Sequence, residues 1–253
     1  MESIADGWLA GAGQSALPIA IFALASAHGV RVRRTRAHPF AGRIYADGER
    51  LVIDINAADP EERQRFTCAH ELMHTAFPGF RRERRYRVDR DPEESLFARS
   101  RSEEERLCDV GAAALLMPRD LISAHVRREP LDAIEAIARA AAVSLEAAAN
   151  RLVRLRAEPG VLLVVEQLAA PGRRRREARL RVRYAVVSHA RVWVPRFADV
   201  PDDSTIARAT DSGRLERGEE ALPGQARGIW AIEAKAYPRR AGVRVLAFAT
   251  RTA

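Results

Sequence analysis

The residues that could do chemistry lie close together, between Thr67 and Phe77. They form the pattern His-Glu-x-x-His with His70, Glu71 and His74, in a run of residues that is typical of a helix. Residues four positions apart lie one turn apart on one helix face, so the two imidazole rings can share one zinc ion. Glu71 then lies beside the coordination position that stays open. The chemistry that this pattern indicates is metal-assisted hydrolysis.

A strand and then a helix are predicted here, and the helix contains the His-Glu-x-x-His pattern. Residues 51–56 alternate apolar and polar side chains and predict a strand. Residues 59–62 are Asp-Pro-Glu-Glu, which gives an N-cap, a proline at the first helical position and acids in the first turn. We therefore predict a helix from about residue 60 to residue 77, with the two histidines near its carboxyl end. Pro78 and Gly79 end this helix.

A catalytic zinc site needs a third protein ligand and an open position for water. Residues 102–118 begin with acidic side chains and become apolar, which predicts a second helix. Glu105 and Asp109 lie four positions apart on one face of that helix. One carboxylate can bind the metal while the other accepts the free ring N–H of a liganding histidine. We expect Glu105 to be the ligand and Asp109 to be the partner of the histidine.

A closed, structural zinc site is the alternative that these residues leave open. Cys108 lies three residues after Glu105, and its thiolate could complete a set of four ligands with His70, His74 and Glu105. That set would leave no position for water. A one-turn offset moves Cys108 by roughly 5 Å along the helix axis, which favours the open site. Cys68 is predicted to lie on the opposite helix face, in the core.

The two motifs together resemble the ImmA/IrrE family of metallopeptidases. The matching stretches are residues 65–74 and residues 105–118, and the resemblance covers roughly residues 15–157. It implies a zincin-like domain with a small sheet and two helices at the active site. Met73 stands where the family usually has glycine, and Gly111 stands where it commonly has phenylalanine. Neither departure touches a ligand, so both concern packing.

The resemblance implies a role for each residue of the site. His70, His74 and Glu105 would bind zinc, for which manganese is an alternative. Glu71 would be the general base that takes a proton from water, and the hydroxide would attack a peptide carbonyl. Asp109 would hold a histidine. The sequence offers three candidates for a side chain that stabilises the oxyanion: His125, His189 and Tyr86.

Composition favours a cytoplasmic protein without a membrane segment. The chain has 253 residues and is 47% hydrophobic, enough for one sizeable core and a smaller second one. Its two cysteines exclude a disulfide framework and suit a reducing cytosol. The apolar run 16–27 has no basic residue before it and is too short to span a bilayer. We expect a buried helix there, ended by Gly29 and followed by a strand.

The net charge of +8 is concentrated in the last third of the chain. Residues 1–157 carry 24 arginines against 23 acidic residues, whereas residues 158–253 carry 17 arginines and one lysine against 11 acidic residues. This asymmetry would suit an acidic partner or nucleic acid. Direct nucleic-acid binding is the less favoured interpretation, because no aromatic residue is interleaved with Arg173–Arg176 after the turn at residues 171–172. The charged stretch 81–90 is predicted to be an exposed loop at the rim of the cleft.

Two amphipathic helices are predicted at residues 131–141 and 145–155, with Ser144 as the N-cap of the second. This is the outline of a helix-turn-helix. Leucine and alanine dominate the second helix, which favours packing over the reading of DNA bases. Four strands that fit an antiparallel sheet are then predicted, at residues 161–165, 180–187, 228–234 and 243–249.

The sequence thus predicts an α+β chain in three segments: a zinc metallopeptidase domain (1–120), a helix-turn-helix-like segment (121–157) and a smaller, mainly antiparallel C-terminal domain (158–253). The resemblance implies that this last domain is GAF-like, a sensor type of fold. It also implies an endopeptidase that cleaves a helix-turn-helix transcriptional repressor and so derepresses stress-response or mobile-element genes. The alternative is a non-proteolytic DNA-binding or scaffold regulator in which zinc is structural.

Overall fold

The computed structural model describes the following stretches of the chain: residues 1–36, 40–80, 85–87, 103–168, 178–188, 192–224, 228–239 and 242–251. For residues 85–87 it describes the backbone alone. The chain divides into two compact units, Met1–His125 with Ala136–Ala148 and Val126–Glu135 with Ala149–Ala253. Each unit is built on a sheet of its own.

The described residues form helices and strands in both units. The helices are α1 (Glu2–Gly11), α2 (Ile21–Ala27), α3 (Glu61–Met73), α4 (Glu103–Leu116), α5 (Arg119–Val126), α6 (Pro130–Ala141), α7 (Leu145–Leu155) and α8 (Thr205–Ser212). The strands are β1 (Val30–Thr35), β2 (Gly42–Asp47), β3 (Arg50–Asn56), β4 (Arg85–Arg87), β5 (Gly160–Leu168), β6 (Arg179–Ser188), β7 (Glu216–Glu220), β8 (Trp230–Arg239) and β9 (Gly242–Arg251). Helices together with two mainly antiparallel sheets confirm the predicted α+β class.

The first unit has a four-stranded sheet in the order β1-β3-β2-β4, in which β1 and β3 are parallel and the other pairs are antiparallel. Side chains alternate between the faces of a sheet, so Ile44, Ile53 and Ile55 share one face with Gly42. All three isoleucines are fully buried. A Cβ atom on Gly42 would meet Thr67 of α3, so this is the face against which α3 packs.

The opposite face of this sheet holds a buried carboxylate. Asp54 in the central strand β3 is aligned with Arg33 of β1 and with Arg43 of β2. Its oxygens accept hydrogen bonds from both guanidinium groups, at 2.7 Å from Arg33 and 2.8 Å from Arg43. Burial alone would raise the pKa of Asp54, but the hydrogen bonds and charges of the two arginines outweigh it. They hold the pKa of this carboxyl below its ordinary value of 3.8.

These ion pairs are expected to make the chain less stable at acid pH. Because the folded state lowers the pKa of Asp54, the carboxylate stabilises the fold fully above about pH 4, and this effect is lost as the pH falls through the lowered value. Urea unfolding of the wild type and of Asp54→Asn should show a difference in the free energy of unfolding that is large at neutral pH and shrinks at about pH 3. A difference of equal size at both pH values would contradict this account.

The helix that carries the His-Glu-x-x-His pattern is shorter than predicted. α3 ends at Met73, and a 3-10 turn, His74–Ala76, follows it. Pro78 has no N–H to bond the carbonyl four residues earlier, so it cannot continue an α-helix. Thr75 Oγ1 donates to the carbonyl oxygen of Leu72 at 2.7 Å. Both features favour the tighter turn over the predicted continuation of the helix.

A buried cation fixes α3 near its amino end. Arg65, which is 7% exposed, donates to the carbonyl oxygens of Ile19, Ala141 and Ala142 at distances between 2.9 and 3.3 Å. Ala141 is the last residue of α6, where the helix dipole places partial negative charge. Within the first unit, Arg65 therefore joins the histidine-bearing helix to the end of α6.

The apolar run 16–27 forms a helix in part, as predicted. α2 begins only at Ile21, and Leu24 and Ala25 on it are buried. Gly29 follows α2 with a φ of +73°, and β1 starts at the next residue. No helix in the described part of the chain is long and apolar enough to cross a bilayer.

The second unit is built on an antiparallel sheet in the order β6-β5-β9-β8-β7. Apolar side chains from its strands form a core with Ile206 and Ala209 of α8. The four predicted strands are confirmed as β5, β6, β8 and β9. No element was predicted between the second and third of these strands, but α8 and β7 lie there. Ser204 caps the start of α8, and Gly213 ends it with a φ of +64°.

The predicted helix pair is present as α6 and α7, and Ser144 is the N-cap of α7. Within the second unit, polar contacts tie the first part of α6 to β8. The carboxylate of Glu233 accepts an N–H from the start of α6 at 3.2 Å. The carboxylate of Glu135 accepts hydrogen bonds from Lys235 at 2.5 Å and from Tyr237 at 2.8 Å. The two units thus divide α6 between them.

Some predictions are not tested by the structure. The segment boundaries at residues 120 and 157 stay predictions. The turn and arginine run at residues 171–176 lie outside the described residues, as does most of the charged stretch 81–90. Within that stretch Arg85–Arg87 form β4, which pairs with β2, so this part is a strand and not the predicted loop.

Candidate metal centre

Helices α3 and α4 bring two histidines and a carboxylate together. His70, near the end of α3, and His74, at the start of the following turn, are both buried. Glu105 comes from the first turn of α4. Its Oε2 lies 3.2 Å from Nε2 of His70, and its Oε1 lies 3.3 Å from Nε2 of His74. One carboxylate therefore faces the same nitrogen of both imidazole rings.

This donor set fits a divalent metal ion. Two imidazole nitrogens and one carboxylate are the protein ligands of many catalytic zinc sites, and they also accept manganese or iron. Burial alone would raise the pKa of Glu105, but in the metal-free chain its polar contacts with His70 and His74, together with the charge of these rings, outweigh burial. The pKa of Glu105 is therefore held well below its ordinary range, and the carboxylate is ionised at neutral pH, as a metal ligand must be.

Each histidine has a second carboxylate at its other ring nitrogen. Nδ1 of His70 lies 2.8 Å from Oδ1 of Asp109, and Nδ1 of His74 lies 3.0 Å from Oε1 of Glu104. A carboxylate that accepts the Nδ1–H of an imidazole leaves Nε2 unprotonated and able to bind a metal. Asp109 thus lies where the sequence predicted a histidine partner, whereas Glu104 was missed.

The sequence contains a spacing that could have indicated Glu104 as a candidate partner of a histidine. Glu104 and Cys108 are four residues apart, like Glu105 and Asp109, and the two pairs lie side by side on α4. Which pair meets which histidine depends on how α4 is rotated about its axis against α3. That rotation is a property of the packed helices, so spacing alone does not choose Glu104.

Cys108 lies closer to the histidines than its helix offset indicated. Its buried Sγ is 3.4 Å from Nδ1 of His74. One possible ligand atom from each of His70, His74 and Cys108 can be chosen so that all three lie within 4.8 Å of one another. The one-turn offset on α4 does not keep Cys108 away from the site, because His74 is itself displaced by one turn from His70. The sulfur approaches the Nδ1 side of the His74 ring, however, whereas Glu105 approaches Nε2.

Glu71 is buried beside the backbone of β2. A Cβ atom added to Gly42 would lie 3.5 Å from Cγ of Glu71 and 2.2 Å from Cγ2 of Thr67. The close approach of strand and helix at this point therefore requires glycine. The catalytic role predicted for Glu71 stays a prediction, and so do the ligand roles of the neighbouring histidines.

The two departures from the family pattern meet in the structure. A Cβ atom on Gly111 of α4 would lie 2.4 Å from Cε of Met73 on α3. Met73 is fully buried. The missing side chain at position 111 therefore makes room for the long side chain at position 73. Compared with the family pattern, the large residue is on α3 instead of α4, and the small residue is on α4 instead of α3.

This exchange predicts strong coupling between the two positions. Gly111→Phe alone should lower the free energy of unfolding by more than about 2 kcal/mol, since it places a ring in occupied space. Met73→Gly alone should also destabilise the chain, because it leaves a cavity. The double variant should recover much of both losses, as measured by urea unfolding of all four proteins. Losses that simply add would show that the two side chains do not share this space.

The candidates for an oxyanion-stabilising side chain are not placed at the site by the structure. His125 lies on α5, and its buried Nδ1 has no hydrogen-bond partner among the described residues. The side chain of Tyr86 and the whole of His189 lie outside the described residues. All three stay predictions.

The fold and this centre place the chain in a known class. The model of the family Peptidase M78, described as an IrrE N-terminal-like domain, matches residues 25–153, which include every residue of the centre. The chain belongs to this family.

The relatives are radiation response metalloproteases. IrrE of Deinococcus radiodurans is 31% identical over 220 residues, which cover 79% of this chain and 63% of that protein. IrrE of Deinococcus deserti is 32% identical over 211 residues, which cover 79% of this chain and 71% of that protein. This chain therefore spans less than two thirds of the length of the Deinococcus radiodurans protein. A Mycobacterium tuberculosis transcriptional regulator shares the fold, with a TM-score of 0.62 and 15% identity over 98% of this chain and 86% of that one.

Proposed function

We propose that this chain is a zinc-dependent endopeptidase whose metal ligands are His70, His74 and Glu105. The observation that carries the proposal is the position of Glu105, whose two oxygens lie 3.2 and 3.3 Å from the Nε2 atoms of the two histidines. These three groups supply two imidazoles and one carboxylate and leave a coordination position for water. Manganese can replace zinc in such a set.

Glu71 is the general base in this proposal. Zinc held at the centre would supply Lewis acidity, which acidifies a water molecule and polarises a peptide carbonyl. The carboxylate of Glu71 takes the proton of that water and later gives it to the leaving amine. The side chain of Glu71 is buried beside Gly42, and Glu71 directly follows His70 in the chain. Asp109 orients His70 by accepting its Nδ1–H at 2.8 Å.

The proposed substrate is a helix-turn-helix transcriptional repressor in the cytoplasm, whose cleavage derepresses stress-response or mobile-element genes. Family membership supports a protein substrate, and the two Deinococcus relatives are described as radiation response proteins. We also propose a zincin-like fold for the first unit and a GAF-like sensor role for the five-stranded sheet of the second. The helix pair α6 and α7 would be a helix-turn-helix-like packing element, because few of its side chains are exposed.

The test is a cleavage assay with purified protein. Helix-turn-helix repressors encoded next to the gene of this chain are incubated with it in the presence of zinc or manganese. We expect one defined cut, loss of cutting after treatment with a chelator, and recovery when the metal is returned. An intact repressor under all metal conditions, with a metal-loaded protein, counts against the proposal.

A structural zinc is the second candidate, and the proximity of Cys108 to both histidines favours it. The chain would then be a non-proteolytic DNA-binding or scaffold regulator. A salt-dependent gel shift of operator DNA by the intact chain, without any cleavage of the repressor, would support this candidate.

A further inference from the structure

We propose that Glu104 is a positioning residue of the metal centre and that it acts through His74. This inference rests on the proposed function, since it takes His74 to be a metal ligand. Oε1 of Glu104 lies 3.0 Å from Nδ1 of His74, on the side of the ring away from Glu105. The imidazole ring is thus held at both nitrogens by carboxylates from the same helix.

The contact determines which nitrogen of His74 carries the proton. A neutral imidazole has one N–H, and a carboxylate at Nδ1 binds that proton, which leaves the lone pair at Nε2. Nε2 is the atom that faces Glu105, at 3.3 Å. Glu104 therefore selects the tautomer that can bind the metal, and it fixes the rotation of the ring about its bond to the chain.

The two histidines are held in the same manner by different residues. Asp109 at Nδ1 of His70 is the partner that the sequence predicted, and its side chain is only 11% exposed. Glu104 has the same position at His74, and its side chain is 28% exposed. Cys108 also lies near this Nδ1, at 3.4 Å, but sulfur is a weak acceptor, so the carboxylate is the stronger partner.

A purely structural role for Glu104 is the competing explanation. Acidic residues in the first turn stabilise a helix through its dipole, and Glu104 is in the first turn of α4. Glu103 has the same advantage, one position earlier, and it is exposed. Glu103→Ala is therefore the matched control, because it removes a first-turn charge without removing a partner of a histidine.

The experiment measures zinc affinity by competition with a chromophoric chelator, using the full chain. The variants are Glu104→Ala, Glu104→Gln, Glu103→Ala and His74→Ala. Glu104→Ala should bind zinc about 10- to 100-fold more weakly than the wild type, the usual effect of losing such a partner. Glu104→Gln should lose less, because its amide oxygen can accept the same hydrogen bond without the charge. Glu103→Ala should bind zinc as tightly as the wild type.

A second measurement follows the ring proton itself. In the zinc-loaded wild type, nitrogen-edited NMR should show the Nδ1–H of His74 protected from exchange with water, and Glu104→Gln should keep this protection. Glu104→Ala should lose it, even if the variant is fully loaded at high zinc. A structural role in α4 alone would change neither the affinity nor this signal when the protein stays folded.

The outcomes separate this inference from the proposed function. Equal zinc affinity of Glu104→Ala and the wild type, with affinity lost in His74→Ala, would overturn the role of Glu104 and leave the metal centre in place. Undiminished affinity in His74→Ala would instead remove His74 from the ligand set, and both proposals would fail.

Discussion

Glu71→Gln will abolish peptide cleavage and leave metal binding near normal. Glutamine keeps the size of the side chain but cannot take a proton from water, so the loss falls on the chemical step. General-base catalysis contributes roughly 100- to 10,000-fold, so the rate of repressor cleavage should fall by at least that order. The measurements are single-turnover cleavage rates and zinc content of the purified variant.

The control for this prediction is Glu62→Gln. Glu62 is an exposed acid in the first turn of the same helix, and its replacement removes one negative charge from α3 without changing the centre. Its cleavage rate should match that of the wild type. Equal activity of wild type and Glu71→Gln would remove Glu71 from the mechanism, whatever the metal content.

Gly42→Ala will produce a large loss of both stability and activity from a single added methyl group. The new Cβ would lie 2.2 Å from Cγ2 of Thr67 and 3.2 Å from the backbone oxygen of Asp54, so strand and helix must separate. Overpacking of this kind costs about 1–3 kcal/mol. Because the base Glu71 is in contact with the same position, at 3.5 Å, a shift of α3 should also move the base and slow cleavage.

Thr67→Ser tests whether the methyl group of Thr67 is the cause. Serine lacks Cγ2, so the double variant Gly42→Ala with Thr67→Ser should regain most of the stability that Gly42→Ala loses in urea unfolding. Gly7→Ala is the matched control, since a Cβ there meets nothing within 4 Å and Gly7 lies in helix α1. That variant should be neutral or slightly more stable. Failure of Thr67→Ser to rescue would show that another contact governs the site.

The features that depend on local periodicity could be predicted from the sequence. His70 with His74, and Glu105 with Asp109, lie at helical spacing in helices that begin with acidic residues, so the place of each pair on one helix face follows from a short pattern. The four long strands of the second unit follow in the same way from apolar runs between turn residues. These patterns require no knowledge of how distant elements pack.

The features that depend on packing between distant elements could not be predicted. Gly42 is ordinary in the sequence, and its role appears only where β2 meets α3, 25 residues later in the chain at Thr67. The contact of Glu104 with His74 depends on how α4 is rotated about its axis against α3, which the sequence does not give. Met73 and Gly111 were visible only as two separate departures, although one occupies the space that the other leaves. The short elements α8 and β7 were missed because eight and five residues carry too little periodic signal.

The most direct test of the central claim is the set of atoms bound to zinc. X-ray absorption spectroscopy of the zinc-loaded chain should show only nitrogen and oxygen neighbours, with the scattering pattern of two imidazole rings, and the Cys108→Ser variant should give the same spectrum. A zinc–sulfur distance of about 2.3 Å that disappears in Cys108→Ser would contradict this account, because a thiolate would then close the position that water must occupy.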